Sequence, residues 1–330
     1  MMRTMVKSTG IAAIALALMA GGASAVTMKI ANVAPADHPS GIVLQEVADE
    51  LNARENLDLD VQVFNDGVLG GEMETIDQMR SGVLEGQVVQ GISILQAYSP
   101  VFGVEELPFL FPSRQAAYDA VDGEFGDLIA EEAEEQGFKV LTYWENGFRH
   151  FTNSKRPLTE PSDLEGLRFR TAESPIRLDM FAALDASAVA MPFTELYAAL
   201  QQGVVDGQEN PLALIEKASF ANVQDYLSLS GHIWNAAPVV VPKAWWDGLD
   251  AETQTAIQQA FDNAKTRERQ MIAEGDEALL EDLKANGMQV NEVDKEAFRS
   301  ATEKVWSGWE SKIGPDLMEL ARQIRDSGTE

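Results

Sequence analysis

The side chains best placed for chemistry are two arginines on a short apolar segment. Leu167 to Thr171 alternates with the period of a strand, so Leu167, Phe169 and Thr171 share one face while Arg168 and Arg170 share the other. Thr171-Ala172-Glu173 then reads as a loop, and Ser174-Pro175 as the N-cap and first-turn proline of a helix running to about Leu184. Arg170 therefore sits near the carboxyl end of a strand. That is where open α/β sheets bind ligands, and where helix N-termini present unpaired N–H groups to anions. A guanidinium there can grip a carboxylate through two parallel hydrogen bonds, which a lysine cannot reproduce. Taken alone, such an arginine is also compatible with a plain surface charge, the reading favoured for Arg168.

Covalent chemistry finds little support. His38, His150 and His232 are the only histidines, and no zincin, nucleophile-elbow, Walker or dinucleotide-binding motif is present. Asp58 and Asp60 lack the glycine and terminal glutamate of a calcium loop. The chain is expected to be a non-enzyme, with no metal and no cofactor.

With 330 residues it can form two domains with separate cores. Arg3 and Lys7, the apolar run Ile11 to Met19 and Ala23-Ser24-Ala25 predict a signal peptide over residues 1–25, cleaved after Ala25. No other segment approaches the roughly 20 apolar residues of a membrane span. The absence of cysteine excludes a disulfide scaffold, cysteine catalysis and a lipid anchor on cysteine, which points to a Gram-negative periplasm. Net charge is −28. A surface that acidic repels nucleic acid, and an anionic ligand would need arginines enclosed in a locally positive pocket.

Strand and helix periods alternate along the chain. Thr27 to Val33, Leu59 to Phe64 and Gly86 to Ile92 read as strands, with helices at Gly41 to Ala53 and Glu72 to Ser81 between them. This alternation predicts a parallel sheet. A second α/β block is expected from Gly147, after a strand at Val140 to Trp144. It continues with a helix from Glu195 to Gln202 capped by Thr194 and a strand from Gly203 to Gly207. No Gly/Ser/Pro-rich linker separates the blocks, so strands should cross between them more than once. From Asp250, a fitting N-cap, a helical pattern runs without proline to Asn286, with Gly275 as a candidate bend. Two further helices, about Asp294 to Trp309 and Pro315 to Asp326, should pack across the lobes.

Four segments in order, Asn146-Gly147-Phe148-Arg149-His150, Gly166-Leu167-Arg168-Phe169-Arg170, Pro192-Phe193-Thr194-Glu195-Leu196-Tyr197 and Asp206-Gly207-Gln208-Glu209-Asn210-Pro211, resemble the substrate-binding proteins of TRAP transporters (the DctP family). The resemblance runs from about Thr27 to the last helix. It implies a two-lobed α/β Venus-flytrap fold of the type II-like periplasmic binding protein kind, with a long helix spanning both lobes. Lobe I would comprise 26–146 plus about 236–275, and lobe II 147–235 plus about 276–305. Residues 306–330 would form a C-terminal helix packed across them.

Within that family pattern, Arg170 matches the arginine that forms the salt bridge to the substrate carboxylate, Arg149 one that assists, Asn210 an amide on the carboxylate side, and Phe193 a ring on the ligand. His232 and Trp234 match a region lining the cleft, the histidine standing behind the ligand rather than on it. Gln90, Glu72 and His38 are further candidates from the first lobe, Gln90 on its buried strand and Glu72 at a helix start. Glu173 departs from the small or amide residues of C4-dicarboxylate receptors. Near the ligand it would repel a second anion and accept hydroxyl hydrogen bonds, pointing to a sugar acid, hexuronates first. C4-dicarboxylates and keto acids stay open as substrates, and so do two other roles, a sensor subunit serving a membrane kinase and, less favoured, a periplasmic enzyme acting on sugar acids. The partners implied are a small organic acid anion and the small and large membrane subunits of a TRAP transporter, with the receptor itself monomeric.

Overall fold

Ten strands and eleven helices follow from these patterns in a computed structural model, which describes residues 26–329; the expected signal peptide lies outside the described residues. The chain opens with β1 (Val26–Asn32), α1 (Pro39–Asn52), β2 (Leu59–Phe64), α2 (Glu72–Arg80) and β3 (Gly86–Val88). Because α1 and α2 return the chain to the same end of the sheet, β1 pairs in parallel with both β2 and β3. The third strand stops at Val88, so Gln90 lies just past it, contrary to the reading of Gly86 to Ile92 as one strand. After 3₁₀ turns ending at Pro100–Glu106 come α3 (Arg114–Val121) and α4 (Glu124–Glu135).

β4 (Phe138–Asn153) is a single 16-residue strand, not a strand followed by a new block. Its first part pairs antiparallel with the later β9 (Trp234–Pro242), and its end with β7 (Gly207–Pro211) and β8 (Tyr226–Leu229). The second sheet adds β5 (Arg168–Thr171), α5 (Pro175–Ala183), β6 (Ser187–Ala190), α6 (Phe193–Gln201) and α7 (Leu212–Lys217), with β5, β6 and β7 parallel. The sheet is therefore mixed rather than wholly parallel: the shared strands β4 and β9 run against their neighbours. The boundary expected at residue 146 falls inside β4, where the register with β9 shifts between Glu145 and Gly147. Gly147 has φ +117, and a Cβ there would meet Pro211 Cβ at 3.3 Å, so a side chain would strain this crossing point.

The last quarter begins with α8 (Lys243–Asp247) and continues through α9 (Ala251–Ala285), β10 (Gln289–Glu292), α10 (Lys295–Ile313) and α11 (Pro315–Asp326). Asp250 caps α9 by accepting from the Glu252 and Thr253 amides, and the helix runs unbroken through Gly275. Ala256, Ile257, Ala260 and Phe261 bury its first half against α1 and β1, whereas Leu283 packs with Leu200, Ile215 and Leu227 under the second sheet. At about 1.5–3 kcal/mol for each large apolar side chain buried, one helix is anchored firmly in two cores. Residues 306–313 belong to α10, not to a separate C-terminal helix; α10 packs on α5 and on Pro100–Glu106, while α11 reaches α4. No helix among the described residues is long and apolar enough to cross a membrane.

Candidate ligand-binding site

Where the two sheets meet through β4, ten residues enclose a narrow cavity: Val33, Glu72, Gln90, Arg149, Arg170, Ala172, Arg177, Phe193, Asn210 and Leu214. The space open to the centre of a water-sized sphere is about 10 Å³. That is room for roughly one water, so any organic ligand requires the walls to separate.

Arg170 reaches this space because it lies toward the carboxyl end of β5. Arg168 shares its strand face but is exposed at the strand's start, whereas Arg170, one pleat further on, is buried. Its Nε donates to the Met191 carbonyl at 3.0 Å, and the guanidinium lies 5.9 Å from the centre of the Phe193 ring. Among the described residues no carboxylate stands within 4.0 Å of it. Burial lowers its pKa to about 10, with Glu209 opposing the shift, so it stays charged at neutral pH.

Arg149, on β4, is also buried but fully engaged. Its Nε and Nη2 grip the Glu209 carboxylate, the latter at 3.0 Å, and Nη2 also donates to Asn210 Oδ1 at 2.8 Å. Arg177 was not anticipated. It stands in the first turn of α5, donates through Nε and Nη2 to Glu106, and reaches Glu209 Oε1 at 3.1 Å and Asn235 Oδ1 at 2.9 Å. A cation in a first helical turn opposes the helix dipole, and that mismatch was the available sequence signal. Glu209 stands inside a quoted motif and Asn235 beside the candidate Trp234, whereas Glu105 and Glu106 carry no sequence signal.

These buried acids divide sharply. Burial would raise Glu209, but Arg149 and then Arg177 outweigh it and hold the carboxyl well below its usual range. Glu106 is likewise lowered, burial being overcome by Arg177. Glu105, next in sequence, is pushed up to about 8 by burial and by the Glu106 charge, against backbone N–H bonds from Ala236 and Ile92. At pH 7 the three arginines thus face two firmly ionised partners. Glu72, raised by burial, closes the opposite wall and accepts the Gln90 amide N–H at 2.7 Å.

Arg170, Arg149, Asn210, Phe193, Gln90 and Glu72 are brought together, though several stand differently from expectation. Asn210 is inside β7, because the strand expected from Gly203 to Gly207 instead begins at Gly207 and runs to Pro211. Phe193 begins α6 itself, so Pro192, not Thr194, occupies the cap. Ser174 holds the cap position of α5, but its hydroxyl donates to Gln96 Oε1 at 2.8 Å.

Four candidates stand off the cavity wall. Glu173 is only partly buried and lies outside the lining; burial raises its pKa and Arg170 opposes this. His232 stands behind Glu209, 3.4 Å from Oε2 and stacked on Phe151. Trp234 points to the other face of β9, packing on Phe111 and donating to Glu145 Oε1 at 2.9 Å. Its neighbour Asn235 is the residue turned toward the arginines, as strand alternation requires. His38 caps α1 by accepting the Ser40 amide, and burial, then Lys217, lowers its pKa to about 3.

Two sheets sharing crossing strands, one helix seated in both cores and a cationic cavity between them define a two-lobed solute receptor. Residues 30–312 match the family model for bacterial extracellular solute-binding protein, family 7, and the chain belongs to this DctP family. It is 34% identical to the 2,3-diketo-L-gulonate-binding periplasmic protein YiaO of Escherichia coli over 79% of each chain. A sugar acid binding protein from Advenella mimigardefordensis, solved in complex with galactonate, superposes with a TM-score of 0.88 at 30% identity, covering 92% of this chain and 98% of the other. A TRAP periplasmic solute-binding protein from Sulfurospirillum deleyianum with bound succinate gives 0.86 at 28% identity, covering 90% and 98%.

Proposed function

We propose that this chain is a periplasmic receptor that captures an organic acid, a sugar acid first, and delivers it to the membrane subunits of a TRAP transporter. The observation that carries the reading is Arg170, a buried cation whose guanidinium meets no carboxylate within 4.0 Å among the described residues and which lines the cavity. One unpaired guanidinium suits one carboxylate, gripped bidentately. A second carboxylate would find Arg149 and Arg177 already neutralised by Glu209 and Glu106. Across the cavity Glu72 and Gln90 offer acceptors and donors for hydroxyls. Asn210 and Arg149 orient the carboxylate end, and Phe193 packs on the ligand's apolar face. The galactonate and diketo-gulonate relatives favour the same class. The succinate relative keeps a C4-dicarboxylate as the second reading.

Capture needs no covalent step. The lobes, 26–146 with 236–275 and 147–235 with 276–305, part about β4 at the Glu145/Gly147 irregularity while α9 holds both. Ligand favours the closed form because only there do both walls contact it. The receptor works as a monomer. A thermal-shift screen of the chain from Val26 tests the reading with hexuronates, aldonates, C4-dicarboxylates, keto acids and neutral sugars. Ligand at 100 times its Kd adds about 2.7 kcal/mol of stability. Stabilisation by sugar acids is the expected result. Succinate alone would replace the substrate class, and a neutral sugar alone would overturn the Arg170 assignment.

A further inference from the structure

The strand that carries Arg149 into the ligand cavity turns its alternate residues, Phe148 and His150, to the opposite side. There a second cavity of about 300 Å³ opens at the back of the crossing point, between the loop at Phe109, β4, the middle of α9 at Asp276 and the start of α10. It lies in the size range of small-molecule sites.

In a chain of net charge −28 this cavity is lined by two basic residues, Lys295 and Arg299, that make no ion pair among the described residues. Spaced four apart on α10, they share one helix face. The Arg299 Nε is buried without a hydrogen-bond partner, and its guanidinium lies over the Phe109 ring at 5.6 Å. The one carboxylate in the wall, Asp276, is taken by Arg114 at 2.7 Å. His150 Nδ1 accepts the Gly231 amide at 3.1 Å, which leaves its Nε2–H as a further donor. Phe109 is held at φ +57, an uncommon conformation for a bulky residue. Its amide donates to the His232 carbonyl at 2.8 Å, and the His232 ring stands 3.4 Å from Glu209.

We propose that this hinge-face cavity is a second anion site, taking a small carboxylate with a flat apolar body, distinct from the Arg170 site. The anion seats on Arg299 and Lys295, and its flat part lies against Phe109 and Phe148. Benzoate is the probe, with benzyl alcohol as its uncharged counterpart. Calorimetric titrations are run on the wild type and on the Arg170→Ala, Arg299→Gln and Lys295→Gln variants. Benzoate should bind Arg170→Ala and the wild type alike. Loss of one charge-assisted hydrogen bond in Arg299→Gln or Lys295→Gln should weaken it about tenfold. Benzyl alcohol should not bind. Lys295 is exposed, so its variant carries the test should Arg299→Gln fail to fold. Benzoate binding that vanishes in Arg170→Ala and persists in both α10 variants would assign it to the ligand cavity and overturn the proposal. Equal binding of benzyl alcohol, or no binding of benzoate, would do the same.

Discussion

Arg170 and Arg149 line one cavity, are both buried, and sit on strands of one sheet, yet they end in opposite electrostatic states. Arg149 and its companion Arg177 are embedded in a lattice of carboxylates and amides, with Glu209 between them and Asn235 bonded to both. Arg170 makes one hydrogen bond, to a backbone carbonyl, and otherwise lies over the Phe193 ring. Burying three cations would be prohibitive without partners, and burying three matched pairs would leave nothing for a ligand. The chain does both things in adjacent places. The lattice neutralises two of the arginines, and the one beside it is left unpaired, as the proposed capture of a carboxylate requires.

That contrast can be broken from either side. Arg170→Ala should have the largest effect on binding: two charge-assisted hydrogen bonds at about 1.5–3 kcal/mol each imply a loss of affinity of roughly a hundredfold or more. Its melting temperature should stay near the wild type, since only the Met191 hydrogen bond and the contact with the Phe193 ring are lost. Unchanged acid affinity by calorimetry would refute the division of labour.

Glu209→Gln should act in the reverse sense, on the fold. Removing one partner of a buried ion pair costs about 3–5 kcal/mol, read by denaturant unfolding. The pH profile gives an independent check. Because the folded pKa of Glu209 lies well below the ordinary carboxylate value of 4.5, its contribution is present above that pH and is lost as pH falls through the folded value. The variant should therefore show a shallower loss of stability below about pH 4.5 than the wild type. Identical acid limbs would mean that Glu209 is not the group holding the lattice.

The smallest effect should come from Glu173→Gln. A partly exposed carboxylate beside the site exerts a screened influence, so sugar acid affinity should change by no more than about fivefold, equivalent to about 1 kcal/mol. A hundredfold loss would restore Glu173 as a hydroxyl acceptor on the ligand and require the α5 entry loop to turn inward on closure.

Reading the chain forward, the periodic features were legible. The boundaries of β2 and α11, the Asp250 cap and the length of α9 follow from apolar spacing, caps and breakers that act within a few residues. Arg170 was legible too, since strand parity and the loop that follows fix its side. The errors cluster where parity alone could not be assigned. Trp234 is the sequence candidate where Asn235 faces the site, and the strand expected from Gly203 to Gly207 falls short of Asn210 because Gly203 to Asp206 forms no ladder.

By itself, then, the sequence determined the alternation of elements, the acidic surface and the inward guanidinium of Arg170, because each depends on local period or on composition. Only the tertiary structure decided which arginine is free. Glu106 lies 71 residues from Arg177, and Glu209 lies 60 from Arg149. Such pairings are set by the way β4 and β9 cross between the lobes and by α9 closing over them, and no local pattern encodes them. Charge neutralisation is a property of what folding brings within a few ångströms, and here it separates two paired cations from an unpaired one.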